Sequence, residues 1–270
     1  MEINKKISFN LSPTSINTFH QSPLLFYLRY ISKVPDDTPV PVCYGLSGNI
    51  VHDCLERYAK REFDRDGTFS YFAQQWLRQN LHKHRDINNS LLNQNEYLLA
   101  LIKGIEIVDL HSSHVCEETI SLPFAENSEI QIGIKGIIDL QAIHNPTSEQ
   151  VIIDYKTSNS MNSGKDFERQ ALFYNYLLHK KGKSLPHKTI FHYLKLGAKK
   201  TYSFSTEDVG AFEEELNAIT EQIFEYGSNI GNYPIGNVDD LFNTKKKACI
   251  REIIRRNGYS NSKEFVDTMF

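Results

Sequence analysis

GIIDLQAIHNPTSEQVIIDYKTS, residues 136–158, holds two apolar, β-branched runs that each end on an aspartate. Asp139 closes the first and Asp154 the second, 15 residues later, and Lys156 follows two positions on. The intervening NPTS is a turn signal. The runs therefore read as two strands, the second short and β-branched as in a buried strand. Alternate residues of a strand share a face. Asp154 and Lys156 project together, Tyr155 lies opposite, and neighbouring strands bring Asp139 to the same end. Two carboxylates and a lysine at strand ends suit hydrolysis of a phosphodiester. The carboxylates hold Mg2+ or Mn2+ through hard oxygens, the metal polarises the phosphate and acidifies water, and the lysine orients that water or stabilises charge in the transition state. A lone D-x-K also arises by chance as an Asp–Lys pair at a sheet edge. The apolar run before it, ending in its own aspartate, favours the chemical reading.

Upstream, residues 115–124 read as a strand, and residues 129–141 alternate through Ile130, Ile132 and Ile134. Residues 47–62 read as a helix with Ile50, Val51, Cys54, Leu55 and Tyr58 on one arc. His52 and Glu56 stand at i and i+4, and His52 borders the arc. It is either a packed core-edge histidine or, beside an Asp/Asp/Lys site, a metal ligand. Downstream, residues 166–181 form a helix with Phe167, Ala171, Tyr174 and Leu178 on one face. Gln170 and Tyr174, also i and i+4, are either a helix edge or a pair turned toward the strand ends. Residues 189–196 read as a strand and 209–226 as a helix. At the other end, residues 13–30 read as one helix capped by Ser12 and started by Pro13. A proline-rich turn, 34–41, stops it. Residues 70–110 read as a polar helical region, solvated near 79–95. This order is that of an α/β core with helical additions at both ends. It reads as one domain over 1–270: a helical region 1–112, a core 113–200, and a C-terminal helix and basic tail 205–270.

The chain has 270 residues, 30 Lys+Arg against 33 Asp+Glu, and a formal charge of −3. This length buries a core without disulfides, and 16 Phe with 14 Tyr exclude a disordered chain. No stretch approaches the ~20 apolar residues of a membrane span, and MEINKKISFNLSPTS lacks the apolar centre of a secretory signal. A cytoplasmic protein with no membrane partner is expected. Cys43, Cys54, Cys116 and Cys249 form no CxxC, which argues against a zinc ribbon or thioredoxin-like motif. Walker A, HExxH and G-x-S-x-G elements are absent. His111 and His114 lack partners at zinc-like spacing. The near-neutral charge leaves room for a local basic groove. Lys195, Lys199, Lys200, Lys245, Lys246, Lys247 and Arg255 are candidate DNA contacts, with Tyr and Phe stacking on bases, or else an ordinary solvated face.

Five motifs in this order resemble the RecB-like branch of the PD-(D/E)XK nuclease superfamily. That branch includes the nuclease domains of RecB and AddB, the single-domain nucleases of CRISPR adaptation and the mitochondrial genome-maintenance exonuclease. LSPTSINTFHQSPLLFYLRY is similar to its N-terminal segment, GNIVHDCLE to its G-x-x-x-H helix, GIIDL to its G-x-x-D element, VIIDYKTS to its D-x-K element and QALFY to its Q-x-x-x-Y helix. The resemblance implies a restriction-endonuclease-like α/β fold, a mixed central sheet flanked by helices. It implies His52, Asp139, Asp154 and the backbone carbonyl of Tyr155 as metal ligands, Lys156 as the catalytic lysine, and Gln170 with Tyr174 as its support. It also implies a further acidic residue at Glu117, with Glu118 equally available. Many members carry an iron–sulfur cluster, with one cysteine in a C-P step and three near the C-terminus. Here the step is Ser22-Pro23 and the tail keeps only Cys249. A [4Fe–4S] cluster needs four thiolates, so no iron–sulfur cluster is expected. The cluster-free members it resembles process free DNA ends. The expectation is a Mg2+- or Mn2+-dependent DNA exonuclease acting on single strands or ends in recombination, repair or mobile-element processing, with a helicase or recombination partner. The alternatives are a structure- or site-specific endonuclease, and a non-catalytic DNA-binding scaffold. Intact His52, Asp139, Asp154 and Lys156 argue against the scaffold.

Overall fold

The two aspartate-terminated runs are adjacent strands. β3 (Ile130–His144) and β4 (Glu149–Lys156) pair antiparallel, with Leu140 opposite Ile153. The computed structural model describes residues 6–37, 42–86, 89–161, 165–239 and 243–258. The end of the proline-rich turn (38–41) and of the basic tail (259–270) lie outside the described residues. β4 pairs parallel with β5 (Lys188–Tyr193), which pairs antiparallel with β6 (Ala198–Tyr202). β1 (Ile7–Leu11) runs parallel to the start of β3, and β2 (His111–Glu126) also pairs with β3. The result is a mixed sheet in the order β1-β3-β4-β5-β6. Eight α-helices accompany it among the described residues: α1 (Pro13–Gln21), α2 (Pro23–Phe26), α3 (Val42–Ala59), α4 (Arg65–Arg78), α5 (Gln94–Asp109), α6 (Lys165–Lys180), α7 (Thr206–Tyr226) and α8 (Lys246–Arg256). This is the mixed α/β architecture expected. None of these helices is long and apolar enough to cross a membrane.

The chain groups into two compact units, neither continuous in sequence. The first comprises residues 1–40, 121–135 and 213–270, and the second 41–120 and 136–212. In the second unit, α3, α4 and α5 bury Val51, Leu55, Trp76, Leu101 and Ile105 with Leu140, Ile153, Ile190 and Leu194 of β3, β4 and the end of β5. Ala171 of α6 packs with Phe191 and Tyr193 of β5. Gly104 is where α5 comes close to α3: a Cβ there would lie 2.6 Å from Leu55.

In the first unit, Ser12 caps α1 as expected. Its hydroxyl accepts from Ser15 N–H, and the Ser15 hydroxyl accepts from Ser12 N–H in return, with Pro13 as the first helical residue. The single helix expected over 13–30 is broken at Ser22, which is extended (φ −158, ψ 102). A residue before proline avoids the helical region. Ser22 closes α1 through its N–H to Thr18 and starts α2 through its hydroxyl, which accepts from Leu25 N–H. A π-turn, Tyr27–Ile31, follows. Leu24, Leu25 and Leu28 pack with Ala248 and Cys249 of α8.

Candidate active site

Each side chain singled out within 136–174, together with His52 and Glu117, belongs to the second unit. The sheet register, with Leu140 opposite Ile153, brings Asp139 in the interior of β3 alongside Asp154 near the end of β4. Asp139 Oδ2 accepts the N–H of Tyr155 at 2.8 Å and lies 3.3 Å from His52 Nδ1. His52 comes from the middle of α3, and its ring meets the Tyr155 ring edge-on. Glu117 comes from β2, where it takes a left-handed conformation (φ 50) rare for a non-glycine residue. One ligand atom from each of His52, Glu117 and Asp139 lies within 4.8 Å of the others. Glu118 faces elsewhere: Lys181 and Lys183 each reach it at 2.8 Å, and Gln141 donates to it. Of the two glutamates that the sequence left open, the geometry brings Glu117 to Asp139 and His52. Simple alternation could not decide, because left-handed residues at Ser113 and Glu117 interrupt the strand period.

Asp154, nearly fully buried, stands apart from that trio. Lys156 Nζ lies 2.7 Å from its Oδ1, while Oδ2 accepts from Gln170 Nε2 at 3.0 Å and from the Tyr174 hydroxyl at 3.1 Å. Gln170 also donates to the Tyr174 oxygen and accepts from Lys156 Nζ at 3.2 Å, so both ends of its amide are used. The i, i+4 pair of α6 therefore touches both the aspartate and the lysine. Two residues contribute that the sequence reading did not assign to the site. The rings of Phe167 and Phe191 flank Lys156, each with its centroid 5.1 Å from Nζ. Phe167 was visible only as part of an apolar stripe.

The electrostatics are those of crowded carboxylates. Burial, then Asp139, push the Glu117 carboxyl up to about 7. Burial and Asp139 also raise Asp154, against the pull of Lys156. Burial disfavours the His52 imidazolium, but Asp139, Asp154 and Glu117 outweigh it and raise the ring to about 9. Burial likewise opposes charge on Asp139, yet His52 and the Tyr155 N–H hold it below the usual range. Two carboxylates and an imidazole converging with poor charge balance form a donor set that a divalent cation would neutralise. Oxygen and nitrogen donors of this kind suit Mg2+ or Mn2+.

The candidate DNA-contacting cations are dispersed. Lys195 is almost buried, 3.5 Å from the centroid of the Tyr97 ring and 3.7 Å from Glu96. Lys245 pairs with Asp36, and Arg255 pairs with Glu252 at 2.6 Å. Lys246 is half-buried, Lys247 is exposed, and Lys199 and Lys200 lie on β6. Lys245, Lys246, Lys247 and Arg255 belong to the first unit, and Lys195, Lys199 and Lys200 to the second.

A mixed α/β sheet that brings together an Asp/Asp/Lys set, a histidine and a further glutamate is an arrangement suited to metal-dependent phosphodiester hydrolysis. The sequence profile of the PD-(D/E)XK nuclease superfamily matches residues 10–241, and the chain belongs to that superfamily. No curated protein matches the chain. Among solved structures, one from Eubacterium rectale, described as "Putative exonuclease", is similar over 81% of each chain, with 10% identity and a TM-score of 0.44. A second, SSO0001, is similar over 89% of this chain and 93% of its own, with 14% identity and a TM-score of 0.31.

Proposed function

We propose that the protein is a Mg2+- or Mn2+-dependent deoxyribonuclease that removes nucleotides from DNA ends, single-stranded ends in particular. Recombination, repair or mobile-element processing in the cytoplasm is the setting, with a helicase or recombination protein as partner. The observation that carries the reading is the convergence of His52, Glu117 and Asp139 beside an Asp154–Lys156–Gln170–Tyr174 network. Preference for ends over internal cleavage comes from the likeness of the sequence to cluster-free RecB-like members.

In this reading His52, Glu117, Asp139 and Asp154, with the Tyr155 carbonyl, hold the cation. When bound, it supplies Lewis-acid stabilisation of charge at the phosphate and acidifies water. Asp139 is fixed in place by the Tyr155 N–H. Gln170 and Tyr174 fix Asp154 and the lysine together, so that the ammonium needs little reorganisation during reaction. Lys156 then offers positive charge to a phosphate oxygen or orients the attacking water.

The test compares end-labelled linear single strands with closed single-stranded circles in Mg2+, Mn2+ or EDTA. Cleavage of linear DNA alone, abolished by EDTA and reduced about a hundredfold to a thousandfold by Lys156→Ala, is expected. Nicked circles would turn the reading to an endonuclease. Full activity in Lys156→Ala would overturn the site.

A further inference from the structure

The hairpin of β5 and β6 begins its turn level with the site lysine. Leu194 N–H donates to the Lys156 carbonyl at 2.9 Å, and the chain reverses through Gly197, whose φ of 63 suits a residue without a side chain. Lys103 of α5 reaches over that turn, its Nζ 3.2 Å from where a Cβ at Gly197 would stand. Lys199 lies in β6 opposite His192, and His192 in β5 lies opposite Tyr155. Neighbouring strands are about 4.8 Å apart, so Lys199 is about 10 Å across the sheet from Tyr155.

Between α5 and the hairpin runs a groove of about 430 Å³, lined among others by Lys103, Leu110, His192, Gly197 and Lys199. Neither Lys103 nor Lys199 has an ion-pair or hydrogen-bond partner among the described residues. Lys195, in the same turn, is by contrast used inside the fold against Tyr97 and Glu96. Leu110 on the groove wall is 52% exposed and Leu196 on the turn 44% exposed. Glu106 is the acidic residue of the lining. Unpaired cations spaced along a groove, with apolar side chains beside them, match a chain that alternates phosphates with sugars and bases.

We propose that this groove, which lies on the sheet face of Tyr155 and His192 rather than that of Asp154 and Lys156, binds the sugar–phosphate backbone of the substrate strand away from the scissile phosphodiester. Lys103 and Lys199 each take a phosphate, and Leu110 and Leu196 contact sugars or bases. The proposal deepens the nuclease reading above and rests on it.

The test is equilibrium binding of a short fluorescent oligothymidylate to the full chain over a salt series, in EDTA and with Ca2+ in place of Mg2+. Lys103→Ala/Lys199→Ala is expected to raise Kd about tenfold and to lower the slope of log K against log salt by about 1.4, or 0.7 per single-strand phosphate. Lys103→Arg/Lys199→Arg should bind as the wild type does. A charge-matched control, Lys33→Ala/Lys83→Ala, should leave the slope unchanged. Melting temperatures identify any variant that fails to fold, and the single variants Lys103→Gln and Lys199→Gln, each expected to lower the slope by about 0.7, then decide. An unchanged slope in the alanine pair, an equal loss in the control, or no binding by the wild type would overturn the groove. A wild type that binds through these lysines without cutting in Mg2+ or Mn2+ leaves the groove standing and removes the nuclease reading. Cutting with an unchanged slope does the reverse.

Discussion

The Lys156 ammonium is confined on four sides: Asp154 at 2.7 Å, Gln170 at 3.2 Å, and the rings of Phe167 and Phe191. A cation over an aromatic face gains about 0.5–2 kcal/mol, the more so where water is excluded. The two rings also narrow the directions in which the ammonium can swing. Phe167 lies in the first turn of α6 and is half-buried, so it can be changed at little cost to the core. In the proposed reaction, Phe167→Leu should slow single-turnover cleavage about threefold to tenfold while Phe167→Tyr stays near the wild type. An unchanged rate in the leucine variant would show that the ring does not position the lysine. The D-x-K was legible because its members stand two residues apart on one strand face. The aromatic walls were not, because they come from α6 and β5, and only the fold brings those elements to β4.

β5 shows what an element must accommodate when both its faces are covered. Thr189, Phe191 and Tyr193 are buried, and the last two pack with α6; Ile190 and Leu194 join the cluster formed with α3, α4 and α5. His192 holds a position in that second set, half-buried, paired across β6 with Lys199. Burial, then Lys199 and His111, push its imidazole down to about 4. The native state therefore keeps His192 neutral while the unfolded chain takes up its proton near 6.5. Unfolding is favoured as pH falls from about 6.5 to about 4, by at most about 3 kcal/mol. Urea titrations at pH 7 and pH 4.5 should show this loss in the wild type and a smaller one in His192→Gln. An identical loss in both would assign the acid sensitivity to other groups. Element boundaries were legible where periodicity was long, as in β3, α6 and α7. β1 and β6, five residues each, carry too little pattern to read. β6 in particular is Ala-Lys-Lys-Thr-Tyr, an edge strand with charge on it, the kind of composition that blunts an edge.

The molecule comprises two compact units, and the sequence disguises this because each unit is assembled from separate segments. The residues of the proposed chemistry fall in the second. The first is tied together by a feature invisible to periodicity, in which residues 234–237 lie across the Ser22-Pro23 step. Leu24 N–H donates to the Pro234 carbonyl at 2.9 Å, Asn237 N–H to the Gln21 carbonyl at 2.8 Å, and the Ser22 hydroxyl to the Ile235 carbonyl. These bonds satisfy backbone groups that the break between α1 and α2 would otherwise leave bare. The crossing is possible because residue 236 is glycine. Its φ is 60, and a Cβ there would stand 2.5 Å from the Gln21 oxygen and 2.7 Å from the Ser22 Cα, both rigid backbone atoms. Gly236→Ala therefore combines left-handed strain with a clash that no side-chain rotation relieves, a cost of about 2–4 kcal/mol. Gly210→Ala, in α7 where a Cβ meets nothing within 4 Å, should instead be neutral or stabilise by up to about 1 kcal/mol. Urea midpoints of the two variants against the wild type separate the cases. A Gly236→Ala midpoint equal to that of the wild type would mean that the segment does not cross the Ser22 step as closely as described.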